Sequence, residues 1–420
     1  MKKWIMSLVC CLSLTICLAQ EEAEVGLIEK LQSEVTEQSE ILKKLQKLKV
    51  SGYIQTQYQW GEEYALLKVG SLNNDLDKSF SRFGIRRGRI KFIYEENIAS
   101  GVFQLDLTEK GIKFKDAYLQ VKDPWLKTNS LRAGIFDRPF GFEISYSSSR
   151  RESPERSTVF ETLFPEERDL GAMLHLQAGK NSPWHFLTLQ AGLFAGNGIK
   201  EETDSRKDFI GHLFANKDIN SNLAIGGGIS YYHGSVHQGT ENVYKMEGKS
   251  FVLNSNPDNI GKFAKRQYFG IDAQLYVNSA LGMTQLRGEY LFGQQPGQEL
   301  GSKSPNTSVL LAIDTYIRQF NGGYVIFIQD LGSMPLSAVL KYDWYDPNTK
   351  VKKDEVGLNH TGETDILRHT FGVGMLWRIN NSLRLQAYYD FKNNEKTENL
   401  PAFTGNLKDD LFTLRLQYKF

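Results

Sequence analysis

The amino-acid sequence predicts an all-β protein: a 16-stranded antiparallel transmembrane β-barrel with a short N-terminal coiled-coil helix. Three observations support this fold class. Apolar and polar residues alternate along most of the chain after residue 50, sixteen such segments can be counted, and short and long connections alternate between them. This alternation is typical of barrel strands, in which one face meets lipid and the other lines a polar lumen. The 50 basic and 49 acidic residues nearly balance, so we expect no nucleic-acid partner.

Residues 1–19 are typical of a secretory signal peptide. Lys2 and Lys3 precede an apolar stretch from Trp4 to Leu18, and Ala19 supplies a small residue at the cleavage point. All three cysteines lie in this segment, at positions 10, 11 and 17. The mature chain therefore has no thiol for a disulfide, a metal site or a nucleophile.

Residues 20–49 carry a heptad pattern. The seam positions alternate at spacings of three and four and are mostly apolar: Ile28, Leu31, Val35, Gln38, Leu42 and Leu45. This predicts a periplasmic helix of about three heptads that forms a coiled coil between copies of the chain. An amphipathic helix lying on the rest of the protein is the alternative. Three heptads are marginal alone, so a larger oligomer interface would have to support them.

Residues 50–420 have a period of two and form the predicted outer-membrane barrel. In the last strand, apolar side chains occupy the even positions from 412 to 420 and polar side chains the odd positions between them. A soluble sandwich would show the same alternation, but it has no reason to alternate short turns with long loops. Strands are expected near 50–60, 81–95, 98–109, 112–122, 128–137, 167–177, 184–196, 207–217, 221–233, 265–278, 281–293, 316–329, 335–346, 365–379, 382–393 and 409–420. Sixteen strands leave an aqueous lumen, so the barrel should conduct.

The connection 138–166 after the fifth strand is rich in both charged and aromatic residues. Its aromatic side chains need surface to bury: Phe140, Phe142, Tyr146, Phe160 and Phe164. We therefore expect this third external loop to fold into the barrel and narrow the pore. A loop that packs on neighbouring loops outside the barrel is the alternative.

Several motifs resemble the phosphate-selective porin O/P family: RAGIF at 132–136, RPFGFE at 138–143, ERS at 155–157, RDLG at 168–171 and RFGIRRGR at 82–89. The final residues, Tyr418, Lys419 and Phe420, resemble an outer-membrane assembly signal. The resemblance covers residues 49–420 and implies a homotrimer of sixteen-stranded barrels among the outer-membrane lipids of a Gram-negative bacterium. It also implies an inward third loop, with arginines along the lumen and lysines at the constriction that conduct phosphate.

Eight arginines are candidate pore-lining or constriction residues: Arg87, Arg89, Arg132, Arg138, Arg150, Arg151, Arg156 and Arg168. Arginine suits phosphate because its guanidinium stays charged and offers a planar fork of donors. Residues 138–169, however, contain five arginines, seven acidic residues and no lysine. We therefore expect only a modest anion preference, with Arg156 at the narrowest point. Any one of these arginines could instead pair with a neighbouring acid.

The sequence thus predicts an outer-membrane porin, a passive diffusion channel for small hydrophilic solutes, with small anions such as phosphate as the expected solutes. The alternatives are an oligosaccharide or general outer-membrane channel, and a non-conducting adhesin or structural barrel. No nucleophile motif or phosphate-binding loop is found in the sequence. We therefore expect no enzymatic activity, no catalytic residue, no cofactor and no metal.

Overall fold

The computed structural model describes residues 30–71, 79–304, 309–310 and 313–420. The predicted signal peptide and the start of the heptad segment lie outside these residues. A helix, α1, spans residues 30–46 and leads into the first strand at Leu48. Within the described residues, no helix is long and apolar enough to cross a membrane.

The described residues contain nineteen strands, and sixteen of them form the wall of a closed antiparallel barrel. The strands are β1 (Leu48–Glu62), β2 (Ser79–Glu96), β3 (Ala99–Thr108), β4 (Gly111–Lys122), β5 (Ser130–Asp137), β6 (Arg168–Gln177), β7 (Leu187–Phe194), β8 (Asp208–Asn220), β9 (Leu223–Gln238), β10 (Asn242–Glu247), β11 (Ser250–Ser255), β12 (Phe263–Ser279), β13 (Gly282–Gly297), β14 (Val309–Leu310), β15 (Thr315–Asp330), β16 (Leu336–Asp346), β17 (Arg368–Arg378), β18 (Leu383–Asn394) and β19 (Leu411–Lys419). β10, β11 and β14 belong to connections rather than to the wall. The predicted 16-stranded antiparallel fold is confirmed.

The barrel closes because the first and last strands pair. β1 runs antiparallel to β19 over nine residue pairs, from Tyr53 opposite Lys419 to Gly61 opposite Leu411. Closure leaves no unpaired sheet edge in the wall.

The two rims of the barrel differ, and so do its two sides. Short turns such as 97–98 and 221–222 alternate with long connections such as 138–167 and 347–367. The two-residue turn 109–110 is an exception on the long-loop rim. The wall is low at β3 to β7, which have 8 to 12 residues, and tall at β9, β12, β13 and β15, which have 16 or 17.

Each strand turns one face outward and one inward. On β12, Phe269 and Ile271 are exposed on the outside of the barrel, whereas Arg266 and Asp272 are buried on the inside. The inner face is therefore polar and the outer face apolar, as the period of two predicts. Outward aromatic residues include Tyr342, Trp377, Tyr418 and Phe420.

Candidate pore and constriction

Residues 138–167, the folded loop, connect β5 to β6 and lie inside the barrel. The loop hydrogen-bonds to strands around the wall. The Phe142 N–H donates to Glu289 of β13 at 2.8 Å, and Arg415 of β19 donates to the Pro154 carbonyl at 2.7 Å. The loop therefore spans the lumen between distant strands instead of covering the rim.

Aromatic packing fixes the folded loop against one side of the wall. Phe140 and Phe164 are buried, with ring centroids 5.0 Å apart, and Phe164 meets Tyr268 of β12 edge-on at 5.7 Å. A short helix, α2 (Thr158–Leu163), buries Val159, Phe160 and Leu163 in the same cluster. Each fully buried side chain of this size contributes roughly 1.5–3 kcal/mol. The cluster therefore fills the space between the folded loop and this part of the wall.

Glu155 ties the loop to the opposite wall through three arginines. Arg86 of β2 donates to it from two nitrogens, both at 2.8 Å, and Arg87 and Arg415 each donate at 2.7 Å. Burial opposes ionisation of this carboxyl, but the guanidiniums outweigh it and hold the pKa of Glu155 well below its usual range. Glu155 is therefore charged at neutral pH, and this anchor holds the tip of the loop.

The ends of the loop are held by similar charge pairs. Glu143 accepts a hydrogen bond from Lys341 of β16 at 2.9 Å. Glu167 pairs with Arg156 and with Arg168, the latter at 2.9 Å. Burial raises the pKa of Glu167, but the cations Arg156, Lys115 and Arg168 outweigh it and bring the pKa well below its ordinary value.

A cavity of about 1090 Å³, the vestibule, opens between the folded loop and the long-loop rim. Its lining includes twice as many basic as acidic side chains, ten against five. The basic residues are Lys68, Arg86, Arg87, Arg89, Lys110, Lys113, Lys115, Arg156, Lys303 and Arg368, and the acidic ones are Asp106, Glu161, Glu166, Glu167 and Glu363. The vestibule is therefore positively charged overall.

Two β-bulges direct cations into this vestibule. Gln55 of β1 pairs with Arg87 and Thr56 with Ile85, which leaves Arg86 as an extra residue of β2. Lys115 is the extra residue of β4 in the same way, since Gln104 pairs with Asp116 and Leu105 with Phe114. A bulge re-aims side chains and shifts the inward and outward alternation by one residue. Arg86 thus reaches Glu155, and Lys115 approaches Glu167 at 3.7 Å.

Three of the eight arginines singled out in the sequence line the vestibule. Arg87 donates to Gln55 at 3.1 Å as well as to Glu155. Arg89 pairs with Asp106 at 3.3 Å. Arg156 donates to the carbonyls of Glu143 at 2.9 Å and Ile144 at 2.8 Å, so it also braces the loop from within.

The other five arginines line no part of the vestibule. Arg132 of β5 lies over the ring of Tyr118, 4.5 Å from its centroid. Arg138 donates to the backbone carbonyl of Arg168 at 3.2 Å, and Arg168 pairs with Asp116 at 3.0 Å. Arg150 is exposed on the loop.

Arg151 is the unusual member of the set. Its side chain is buried, and none of its three guanidinium nitrogens has a hydrogen-bond partner within the described part of the chain. Burial, together with the nearby charges of Arg156 and Arg87, lowers the pKa of Arg151 well below its ordinary value. A buried cation without a partner is costly, so Arg151 opposes the folded arrangement of the loop.

Sequence reasoning missed most of the vestibule cations, including every lysine. Lys110, Lys113 and Lys115 come from the β3–β4 turn and β4, and Lys68 comes from the β1–β2 connection, where it pairs with Glu161 at 2.8 Å. A signal for the bulges does exist in the sequence. Within β4, the exposed apolar residues change from even-numbered positions, Ile112 and Phe114, to an odd-numbered position, Leu119.

Comparisons with known proteins establish the fold. No protein-family model matches the chain, and no curated protein sequence matches it. Three similar solved structures are OprB of Pseudomonas putida (TM-score 0.57, 10% identity, 91% of this chain and 96% of that chain covered), OmpF of Salmonella typhi in complex with daunomycin (0.55, 12%, 89% and 97%), and the trimer form of OmpT, an outer membrane protein of Vibrio cholerae (0.51, 11%, 89% and 99%). The chain therefore has the closed barrel fold that these three proteins share.

Proposed function

We propose that the protein is an outer-membrane porin, a passive diffusion channel for small hydrophilic solutes with a preference for small anions such as phosphate. The observation that carries this proposal is the excess of basic side chains in the vestibule above the folded loop. The shared fold supports the membrane location, because the outer surface is apolar along the barrel strands. The long-loop rim would face the outside and the short-turn rim the periplasm.

The proposed anion preference depends on which vestibule cations are not already paired with a carboxylate of the protein. Many vestibule cations already have a carboxylate partner, but Lys110, Lys303 and Arg368 form no ion pair within 4 Å in the described residues. Their charge can attract an anion without a fixed internal counter-charge. Screening limits the effect to about 8 Å at physiological salt, so the preference should grow at low salt.

Phosphate fits the mixture of lysines and arginines around the vestibule. Arginine binds phosphate through two parallel hydrogen bonds, and lysine adds a mobile point charge. Because these side chains lie along an open cavity rather than in a closed pocket, binding stays weak enough for the anion to leave.

The alternative of an oligosaccharide channel has less support from the loop. Such a channel would need aromatic faces that are free to stack on sugar rings. Phe140, Phe160 and Phe164 are buried, and Phe142 stacks on Tyr146 at 5.0 Å. The folded loop therefore offers few aromatic faces to a passing sugar.

Assembly as a homotrimer is the second part of the proposal. The apolar seam of α1 is unpartnered in the single chain, since Leu31, Val35, Leu42 and Leu45 are each more than half exposed. The low part of the wall, at β4, carries the exposed apolar residues Ile112 and Leu119. Two further copies of the chain could cover both surfaces, with the helices bundled in the periplasm. Signal-peptide cleavage near residue 19 is part of the same proposal.

The test of the channel is conductance in planar bilayers with the purified full-length protein. In a KCl gradient, the reversal potential should show preference for chloride, and added phosphate should reduce the chloride current. Lys110→Gln with Lys113→Gln should lower the chloride preference, while Lys262→Gln, an exposed lysine in the β11–β12 connection, serves as the matched control. Absence of channels would refute the porin proposal, and cation preference in the unmodified protein would refute the anion preference.

A further inference from the structure

The lumen wall at β16 to β18 carries a diagonal pattern of charge that the anion preference does not use. In the antiparallel register, Lys341 and Asp390 lie on either side of Gly372. In the next row of inward-facing residues across the same three strands, Asp343 and Lys392 lie on either side of Thr370. Each pair is two strands apart, about 10 Å. Positive and negative groups therefore alternate on the inner face of these three strands.

A buried hydroxyl without a partner lies at the centre of this pattern. Gly372 has no side chain, and the space that a Cβ would take there is occupied by the Tyr388 hydroxyl. Tyr388 is 2% exposed, and its hydroxyl has no hydrogen-bond partner in the part of the chain that the structure describes. A buried polar group left unpaired destabilises the fold, so a ligand that bonds to it would gain that interaction.

These side chains line a second cavity of about 220 Å³, next to the vestibule. Seven water molecules occupy a similar volume at about 30 Å³ each, so the cavity has room for a solute the size of a small amino acid. The side chains of Asp390 and Lys392 make no hydrogen bond and no ion pair within the described residues, so both remain available. Lys341 is already bound to Glu143, and Asp343 accepts from the Thr158 N–H at 3.1 Å.

The balance of charge in this cavity differs from that in the vestibule. Five basic and five acidic side chains line it, so it is neutral overall. The basic residues are Lys68, Arg156, Lys341, Arg368 and Lys392, and the acidic ones are Glu155, Glu161, Asp343, Asp390 and Asp409. A solute with a single charge meets as many opposing as attracting groups there. A solute that carries both charges can satisfy both kinds of group.

We propose that this cavity is a subsite for zwitterionic solutes of amino-acid size. The ammonium group of the solute binds to Asp390, its anionic group binds to Lys392, and the Tyr388 hydroxyl bonds to the solute between them. The inference rests on the proposed channel function, because the cavity would be reached through the pore. It extends that function from simple anions to zwitterions that carry an anionic group.

Swelling of liposomes that contain the full-length protein tests this subsite. The probes are glycine, a zwitterion at pH 7, and glycolamide, its uncharged isomer of equal mass. Wild-type protein should pass glycine about two- to fivefold faster than glycolamide, as expected for charge pairs at a partly exposed site. Asp390→Asn and Lys392→Gln should each bring that ratio close to one. Asp258→Asn, in a turn of the β11–β12 connection, should leave it unchanged.

The two variants separate the subsite from a general effect of charge. Asp390→Asn removes a negative charge and Lys392→Gln a positive one, so a net-charge effect would shift the chloride-to-potassium permeability ratio in opposite directions. Loss of the subsite lowers the glycine-to-glycolamide ratio in both. An unchanged ratio in both variants, or a wild-type ratio of one while both solutes enter, would overturn the subsite and leave the channel standing. No swelling in either solute would overturn the channel and the subsite together.

Discussion

The folded loop and the β2–β4 wall are both rich in cations, yet they use them differently. In the loop, Arg138 and Arg156 are bound to backbone carbonyls or carboxylates inside the protein. On the wall and its turn, Lys110 and Lys113 face the vestibule. Among the described residues, Lys110 forms no ion pair, and Lys113 pairs with Glu166 at 3.7 Å. The comparison teaches that the number of cations in a segment does not set the charge that the segment presents to the vestibule. The internal partners of each cation decide it.

The largest effect should come from breaking the loop anchor. Glu155→Ala leaves Arg87 and Arg415 buried, and Arg86 partly buried, without their shared counter-charge, and removal of one partner from such a network costs about 3–5 kcal/mol. We expect a lower thermal midpoint and a larger, noisier single-channel conductance. Glu363→Gln, which lines the vestibule but forms no ion pair in the described residues, is the control. A conductance equal to wild type would show that the loop does not restrict the pore.

Arg151→Met should stabilise the protein, because it removes a buried charge that has no hydrogen-bond partner among the residues that the structure describes. Replacement of buried charge by an apolar side chain of similar volume can gain about 1–4 kcal/mol. Thermal unfolding in detergent should shift to higher temperature, whereas Arg150→Met on the exposed side of the loop should change it little. A destabilised Arg151 variant would mean that an anion or water satisfies this guanidinium in solution.

Removal of wall cations should change selectivity without changing stability. We expect Lys110→Gln and Lys113→Gln together to lower the anion-to-cation permeability ratio several-fold at low salt, and less at high salt. The reversal potential in a salt gradient measures this ratio. Arg132 lies over Tyr118, away from the vestibule. If its replacement lowered the permeability ratio equally, cations that line the vestibule would not differ from cations that do not.

Arg156→Ala should affect both properties moderately, because Arg156 lines the vestibule and also braces the loop. The permeability ratio for anions should fall, more at low than at high salt, and the thermal midpoint should fall with it. Reversal potentials and thermal scans on one preparation measure both. A change in selectivity alone would show that the brace contributes little.

Acid should release the loop only at low pH, and this is the smallest effect expected near neutrality. The pKa values of Glu155 and Glu167 lie below those in the unfolded chain, so their stabilising contribution is complete above the ordinary carboxyl pKa of about 4.3 and is lost as pH falls through the lower folded values. Single-channel conductance should stay constant from pH 8 to about 5 and change below about 4. A transition near pH 6 would point to other groups.

The sequence by itself determined the barrel, because a period of two with alternating short and long connections has few other solutions. Strand positions such as 316–329 and 382–393 differ from the observed bounds by only one residue at each end. Aromatic content also indicated that the connection after β5 must bury surface. These features depend on local pattern, which a single chain displays directly.

Only the tertiary structure decided which charged side chains line the vestibule. The bulges at Arg86 and Lys115 shift the inward and outward alternation by one residue. A strict period of two along the sequence therefore assigns both side chains to the wrong face of the wall. Ion pairs such as that between Arg415 and Glu155 join residues 260 positions apart. The free or bound state of a cation depends on such distant partners. Sequence spacing carries no record of them, because the closed wall brings them together only after folding.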